Sequence, residues 1–365
     1  MTFLFLLASC GDKEDRLNYV IATNFPSEMQ VKGKAFASLD HYRIREVRLI
    51  DTFLVVVTPS DSNYIHVYST ESDSLLLKLS SRGRGPGEFL SADPIRAFSE
   101  PGKRQFAVFD NQTKDITMID VIRSVNEDGF FYERFPNRIS TAEGNVPVET
   151  IYHNSGERAV YRTEFDMEMR FSIFNYQTGE IINIPINYPN RSDYRLPEGA
   201  GQLSRIFMVT TLAVNTRLNR IASGPFLLGE LDFFDLDGNY IATSLYANKD
   251  TIRKHIDNLY ESPNSIHRYN SIICSDDDYV YVLNDNYRTG VLAPAPGESN
   301  WHRIPSPEAV GHSNELLVFD WNGRPVKRFL FDRFIRNFTI DYNMGVIFGV
   351  YNHPEDGDKI IEYRF

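Results

Sequence analysis

One short pattern recurs along this chain and limits what it can fold into. An apolar strand ends in an aromatic residue, then comes Asp or Asn, a tight polar turn, and a second strand. The clearest copies are Phe109-Asp110-Asn111-Gln112-Thr113-Lys114-Asp115-Ile116 and Phe174-Asn175-Tyr176-Gln177-Thr178-Gly179-Glu180-Ile181. Two more are Phe234-Asp235-Leu236-Asp237-Gly238-Asn239-Tyr240-Ile241 and Phe319-Asp320-Trp321-Asn322-Gly323-Arg324-Pro325-Val326, and Tyr68–Leu75 is a weaker one. Each reads as a β-hairpin, with Asp-Gly or Asn-Gly supplying the positive φ that a tight turn needs. Two further apolar runs precede a copy, as at 93–98 with 104–109, 206–215 with 220–224, and 266–274 with 278–284. The 26 Phe and 20 Tyr, mixed with Val, Ile and Thr, suit pleated and half-buried strands.

Four-stranded units repeating about every 40 residues are the sequence form of a β-propeller. Blades are expected at 42–79, 93–123, 146–186, 206–246 and 266–331. The last run, 334–365, supplies only three strands. The expected fold is therefore all-β: a six-bladed β-propeller of four-stranded antiparallel blades over 29–365, with the last blade closed by an N-terminal strand from Met29–Ala37. A pair of β-sandwiches is the competing arrangement. Segment 249–262 carries Ile252, Ile256 and Leu259 at helical spacing and is expected to form one short helical insertion.

The stretch "SSRGRGPGEFLSADP" (80–94) holds Gly83, Gly85 and Gly87 and invites a phosphate-loop reading. A P-loop needs Gly-Lys-Ser/Thr, whereas Gly87 is followed by Glu88-Phe89. A Rossmann loop needs a third glycine where Glu88 stands, and both loops need a helix immediately afterwards. "FLSADPIRAF" reads instead as loop and strand, so the segment is expected to cross from blade one to blade two, with Phe89 as a plug between them.

With its Gly-rich stretch, Pro-Gly-Glu-Phe and later Pro94, this segment is similar to the repeat of NHL-type propellers. A fainter echo, Glu198-Gly199-Ala200-Gly201-Gln202-Leu203, precedes blade four. The N-terminus, "MTFLFLLASC", ends in Leu7-Ala8-Ser9-Cys10, which resembles a lipobox, although it lacks a charged n-region and its apolar run is short. Gly11-Asp12-Lys13-Glu14-Asp15 then resembles the surface-export signal of Bacteroidota lipoproteins. Taken together, the chain resembles the six-bladed, TolB-like propeller lipoproteins of Bacteroidota. That resemblance implies a signal peptide at 1–9, a palmitate-type anchor on Cys10, a lipidated tether over 10–28, and an outer-membrane address, at the cell surface or facing the periplasm. No later segment reaches the length of a membrane span, so such a protein is tethered by its lipid alone.

In a propeller, the inner-to-second and third-to-outer turns lie at one end. The interblade and second-to-third loops lie at the other. The first group is short here and the second long (124–145, 187–205, 247–265 and 285–314), which directs the search for a binding site to the long loops. Candidate ligand contacts are Trp301, His302 and Arg303, where an aromatic beside a cation suits sugar or peptide, with Arg82, Arg84, Tyr194 and Arg195. Asp276-Asp277-Asp278 suggests calcium, but it falls at a short turn and reads better as a polar hairpin. The eight histidines are scattered without HxxxH or HxH, Cys274 is a lone thiol of the mature chain, and no metal or cofactor is expected. A net charge of −11 argues against a nucleic-acid partner.

GxSxG and HExxH are both missing, so catalysis has no visible motif. The leading expectation is a monomeric, non-enzymatic interaction module for a protein, peptide or glycan. The alternative is a propeller enzyme of lactonase, lyase or glycan-hydrolase type, with its site at the central channel.

Overall fold

The structure, a computed structural model, describes residues 18–36, 43–59, 62–97, 106–136, 147–152, 158–163, 169–186, 188–189, 210–225, 228–247, 265–267, 270–284, 288–292, 302–303, 313–353 and 357–365. Three short strands open the chain: β1 (Tyr19–Ile21), β2 (Glu28–Val31) and β3 (Gly33–Phe36). Blade one follows as β4 (Glu46–Ile50), β5 (Phe53–Val57), β6 (Asn63–Ser69) and β7 (Leu75–Ser81). Blade two comprises β8 (Asp93–Ala97), β9 (Phe106–Asp110), β10 (Asp115–Ile119), helix α1 (Val121–Asn126) and β11 (Tyr132–Pro136). Blade three is β12 (Pro147–Tyr152), β13 (Arg158–Thr163), β14 (Met169–Asn175) and β15 (Ile181–Pro185). Blade four is β16 (Thr210–Asn215), β17 (Arg220–Pro225), β18 (Glu230–Phe234) and β19 (Tyr240–Leu245).

Blade five is built from β21 (Asn270–Ser275), β22 (Tyr279–Asn284), β25 (Ser313–Asp320) and β26 (Pro325–Ile335). Its insertion strands, β23 (Arg288–Leu292) and β24 (His302–Arg303), join β20 (Ser265–His267) in a small three-stranded sheet. Blade six has β27 (Asn337–Asp341), β28 (Val346–His353) and β29 (Gly357–Arg364), and β3 is its fourth strand. The expected closure by an N-terminal strand is therefore present. Gly33 pairs with Tyr363 and Phe36 with Ile360. Lys34 stands opposite the buried Glu362, with Nζ 2.9 Å from its carboxylate. Blade six is joined to blade one by Asp358, which accepts from the Ile44 amide at 2.6 Å and pairs with Arg336.

The repeated Asp or Asn has a local task. Its side-chain oxygen accepts from backbone amides two to four residues on, which replaces a strand ladder with a turn. Asn175 accepts from Gln177 and Thr178, Asp235 from Asp237 and Asn239, and Asp320 from Asn322 and Arg324. Gly238 and Gly323 then take φ of 83° and 78°. These three copies are third-to-outer hairpins. The Phe109–Ile116 copy is not: it joins β9 to β10, the second and third strands of its blade. The same chemistry recurs at the opposite end.

Blade two thus extends to Pro136, past the 123 expected from the sequence. Asp120 caps α1 by accepting from the Arg123 amide at 2.9 Å, and the helix lies in the third-to-outer connection. Residues 124–131, expected at the long-loop end as part of 124–145, therefore belong to the short-turn end; 132–136 is strand and 137–145 lies outside the described residues. The helix expected at 249–262 lies outside the described residues.

Along the strands both faces are buried, one against each neighbouring blade. Val55, Val57 and Val67 of blade one meet Phe89, Phe106 and Val108 of blade two, while Leu54 and Val56 meet Phe348 and Ile360 of blade six. Phe109 and Ala107 turn the other way, toward Ala159 and Tyr161 of blade three. The six hydrophobic clusters of the described residues are these interblade seams.

The closing strand can be tested at Gly33. A Cβ there would stand 2.1 Å from Ile361 Cγ2 and 2.6 Å from the Tyr363 ring. Gly33→Leu is expected to destabilise the fold by about 1–3 kcal/mol through overpacking. Urea unfolding checks this, and an unchanged midpoint would refute closure by β3.

Candidate functional site

The ends of the ring differ as strand order requires. Turns at 51–52, 70–74, 216–219, 235–239, 276–278, 321–324 and 342–345 lie at the turn end. The crossover 82–92, the β9–β10 turn and the β20–β23–β24 sheet lie at the loop end.

At the loop end, the Gly-rich crossover is fixed from within. Phe89 donates its amide to Ser81 O at 3.0 Å, and the Gly83 amide donates back to Phe89 O at 3.1 Å. The Phe89 side chain is fully buried in the seam between blades one and two, the plug expected from the sequence. Arg134 clamps it from outside. Its guanidinium lies 5.2 Å from the Phe89 ring centroid and donates to Glu88 O at 2.9 Å.

One glycine amide does bind an anion, and it is the chain's own. The Glu88 carboxylate accepts from the Gly85 amide at 2.7 Å and from Ser81 Oγ at 3.3 Å. A Cβ on Gly83 would lie 2.0 Å from that carboxylate, so only glycine leaves room for it. Asp110 anchors the far side, accepting from the Leu90 amide at 2.7 Å and from Ser91 Oγ at 3.3 Å while also capping its own turn. Arg82 and Arg84 project from this braced loop. Both are exposed, and neither guanidinium is held by a carboxylate among the described residues.

Of the other candidates, His302 and Arg303 form β24, paired with Leu292 and Val291. The segment is thus part of a small sheet that ties the loop before blade five to the insertion within it. It shares the loop end with Arg82 and Arg84 but belongs to a different sector of the ring. Trp301, Tyr194, Arg195 and Cys10 lie outside the described residues.

Asp276-Asp277-Asp278 forms the β21–β22 turn. Asp276 accepts from the Asp278 and Tyr279 amides and from the Tyr281 hydroxyl. Burial pushes the Asp276 carboxyl above the usual carboxylate range, while these donors pull it back. Asp277 O takes the Asn215 and Arg217 donors of blade four, so the acids serve packing between blades. Among the described residues no three His, Cys, Asp or Glu side chains group as a metal site.

One ionic feature was not visible in the sequence. Arg170 of β14 and Asp232 of β18 pair at 2.6 Å across the seam of blades three and four, with side chains 2% and 0% exposed. Arg170 also donates to Ser223 O at 3.2 Å, and Asp232 accepts from Thr243 Oγ1. The pair is enclosed, with Arg170 Nε left without a hydrogen-bond partner among the described residues, and loss of one partner from such a pair typically costs about 3–5 kcal/mol.

Residues 31–343 match the family described as TolB-like 6-blade propeller-like. The chain belongs to this family. A comparison with curated proteins gives no match. Among solved structures, a DUF4221-family member from Bacteroides vulgatus is similar at 12% identity over 93% of this chain and 98% of that one, with TM-score 0.52. A protein from Bacteroides fragilis is similar at 10% identity over 92% and 99%, with TM-score 0.48. At these identities the TolB-like propeller and its structural neighbour share a fold, and ligand chemistry has to be argued from side chains.

Removing the plug tests the braced crossover. Phe89→Ala should destabilise the protein by about 3–5 kcal/mol, the usual cost of emptying a buried aromatic site. Thermal and urea unfolding measure it, and a loss below about 1 kcal/mol would show that the loop is not anchored through this seam.

Proposed function

We propose that this TolB-like propeller is a lipid-anchored, extracytoplasmic interaction module that binds a protein, peptide or glycan at its loop end. The observation that carries the reading is the Arg82–Arg84 pair. Two exposed guanidiniums, neither held by a carboxylate among the described residues, stand on a loop whose backbone is already fixed by Glu88, Asp110 and Phe89. A preorganised loop loses little entropy on binding, and guanidinium groups suit carboxylate, sulfate or phosphate groups on a ligand. An anionic segment of a protein or glycan fits this chemistry better than nucleic acid, because the chain as a whole is acidic.

The anchor is part of the proposal and rests on the lipobox-like Leu7-Ala8-Ser9-Cys10. Among the described residues no helix is long and apolar enough to cross a membrane. Cys274 is buried in the seam of blades five and six, so Cys10 is the thiol open to acylation.

Cys10→Ala should abolish acyl labelling and membrane retention in cell fractionation. Retention equal to wild type would refute the anchor. Capture from the native cell surface with the wild-type propeller should enrich a ligand that the Arg82→Ala/Arg84→Ala variant takes up at least tenfold less, with an unchanged melting temperature. Equal capture by both proteins would move the site elsewhere.

A further inference from the structure

The strap formed by β1, β2 and β3 crosses the outer rims of three blades in succession. β1 adds in parallel to β19 of blade four, β2 in parallel to β26 of blade five, and β3 completes blade six. The parallel pairing of β1 has a directional consequence. β19 begins just after the 235–239 turn and runs from the turn end to the loop end, so β1 runs the same way and its start points toward the turn end, with Tyr19 opposite Thr243 midway along β19.

Asn18 sits at that start. Its carbonyl accepts from the Thr243 amide at 2.9 Å, and its side chain donates to Ile241 O at 3.4 Å. Residue 18 therefore stands about midway along β19, within about 10 Å of the turn at about 3.3 Å per strand residue, and it is the direction of β1, not its height, that points the chain toward the turn end. The far side of β1 is pinned. Ala22 is fully buried and donates its amide to Leu245 O at 2.8 Å, and Phe25 meets Phe319 edge-on at 5.5 Å. Reversing the strap would require withdrawing both residues from the seam of blades four and five.

We infer that the strap orients the propeller on its anchor, holding the turn end toward the anchoring surface and presenting the loop end, with Arg82, Arg84 and β24, away from it. The nature of that surface rests on the lipid reading of Cys10; the direction of exit rests only on the β1–β19 pairing. From Cys10 to Asn18 the chain reaches at most about 29 Å when fully extended. Reaching the loop end from Asn18 would require reversing the direction of β1 and running back about 10 Å alongside Tyr19–Ile21. The turn end exposes Glu71, Asp73, Asp128 and Glu180 together with Arg123 and Arg324, while Asp237 and Asp278 are paired with Arg158 and Arg217. Charges of both signs on this end give no strong one-signed patch for headgroup binding, and the tether sets the orientation.

The test uses the full acylated chain on phosphatidylethanolamine/phosphatidylglycerol vesicles carrying a nitroxide headgroup lipid. A click-labelled fluorophore replaces Asn322 at the turn end or Gln112 at the loop end. Headgroup quenching at least twofold stronger at 322 than at 112 supports the orientation. Equal or reversed quenching overturns it. Failure of the acylated chain to float with vesicles overturns the lipid reading. The orientation is then decided with the chain coupled through the Cys10 thiol to a maleimide lipid, where the same twofold inequality is expected and its absence refutes the inference.

Discussion

The structure depends on burial between blades. A four-stranded blade has two apolar faces, and neither can be left in water, since a buried Val, Leu, Ile or Phe side chain is worth about 1.5–3 kcal/mol each. Alternation along a strand sends successive side chains to opposite neighbours. Leu54 and Val56 go to blade six, and Val55 and Val57 go to blade two. A row of such blades is stable only when it closes, because an open row leaves a face exposed at either end. The sixth seam, where Phe36, Phe348 and Ile360 meet Val47, Leu54 and Val56, is therefore as necessary as any other. It exists because β3 supplies the strand that blade six lacks and brings Phe36 with it.

Closure by the N-terminus has a structural cost and a gain. The chain must run past blades four and five to reach blade six, and it gains pairing on the way through β1 and β2. Both added strands are short and parallel, and they cover outer edges that would otherwise offer unpaired backbone groups. The polar contacts along the path hold the chain in register: Asn18 on β19, Arg328 donating to Glu28 at 3.2 Å, and Gly33 donating to Asp332 at 3.2 Å. A segment that reads from sequence as tether, 10–28, is thus in contact with the propeller from residue 18 onward.

What was legible in the sequence was local chemistry. The aromatic-Asp/Asn-turn pattern marks hairpins because an Asx side chain caps amides within four residues, and no distant partner is needed. The same locality misplaced one copy. Asp110 makes that turn but joins β9 to β10, and nothing in the eight-residue pattern says which pair of strands it connects. Helix α1 was hidden by its own composition, since Val121, Ile122 and Val125 are β-branched and read as strand; the Asp120 cap was the available signal. The Arg170–Asp232 pair and the Arg134 clamp were illegible because each joins residues distant in sequence, the first across two blades. At the candidate site, the crossover carrying Arg82 and Arg84 was legible from its glycines, proline and Phe89, but the occupant of its amide cradle was not.

That occupant bears on how the loop end can bind anything. Backbone amides in a Gly-rich turn are natural anion receptors, and here the Gly85 amide is already taken by the tethered Glu88 carboxylate, whose binding is intramolecular. A free phosphate would have to displace it and leave a carboxylate without its amide donor, so the loop is a poor phosphate site in spite of its composition. The same occupancy braces the loop and leaves Arg82 and Arg84 exposed, with no carboxylate partner among the described residues. Recognition built this way works by display on a surface, not by enclosure in a pocket. On the proposed reading, such a surface needs the loop end to be turned toward whatever it binds.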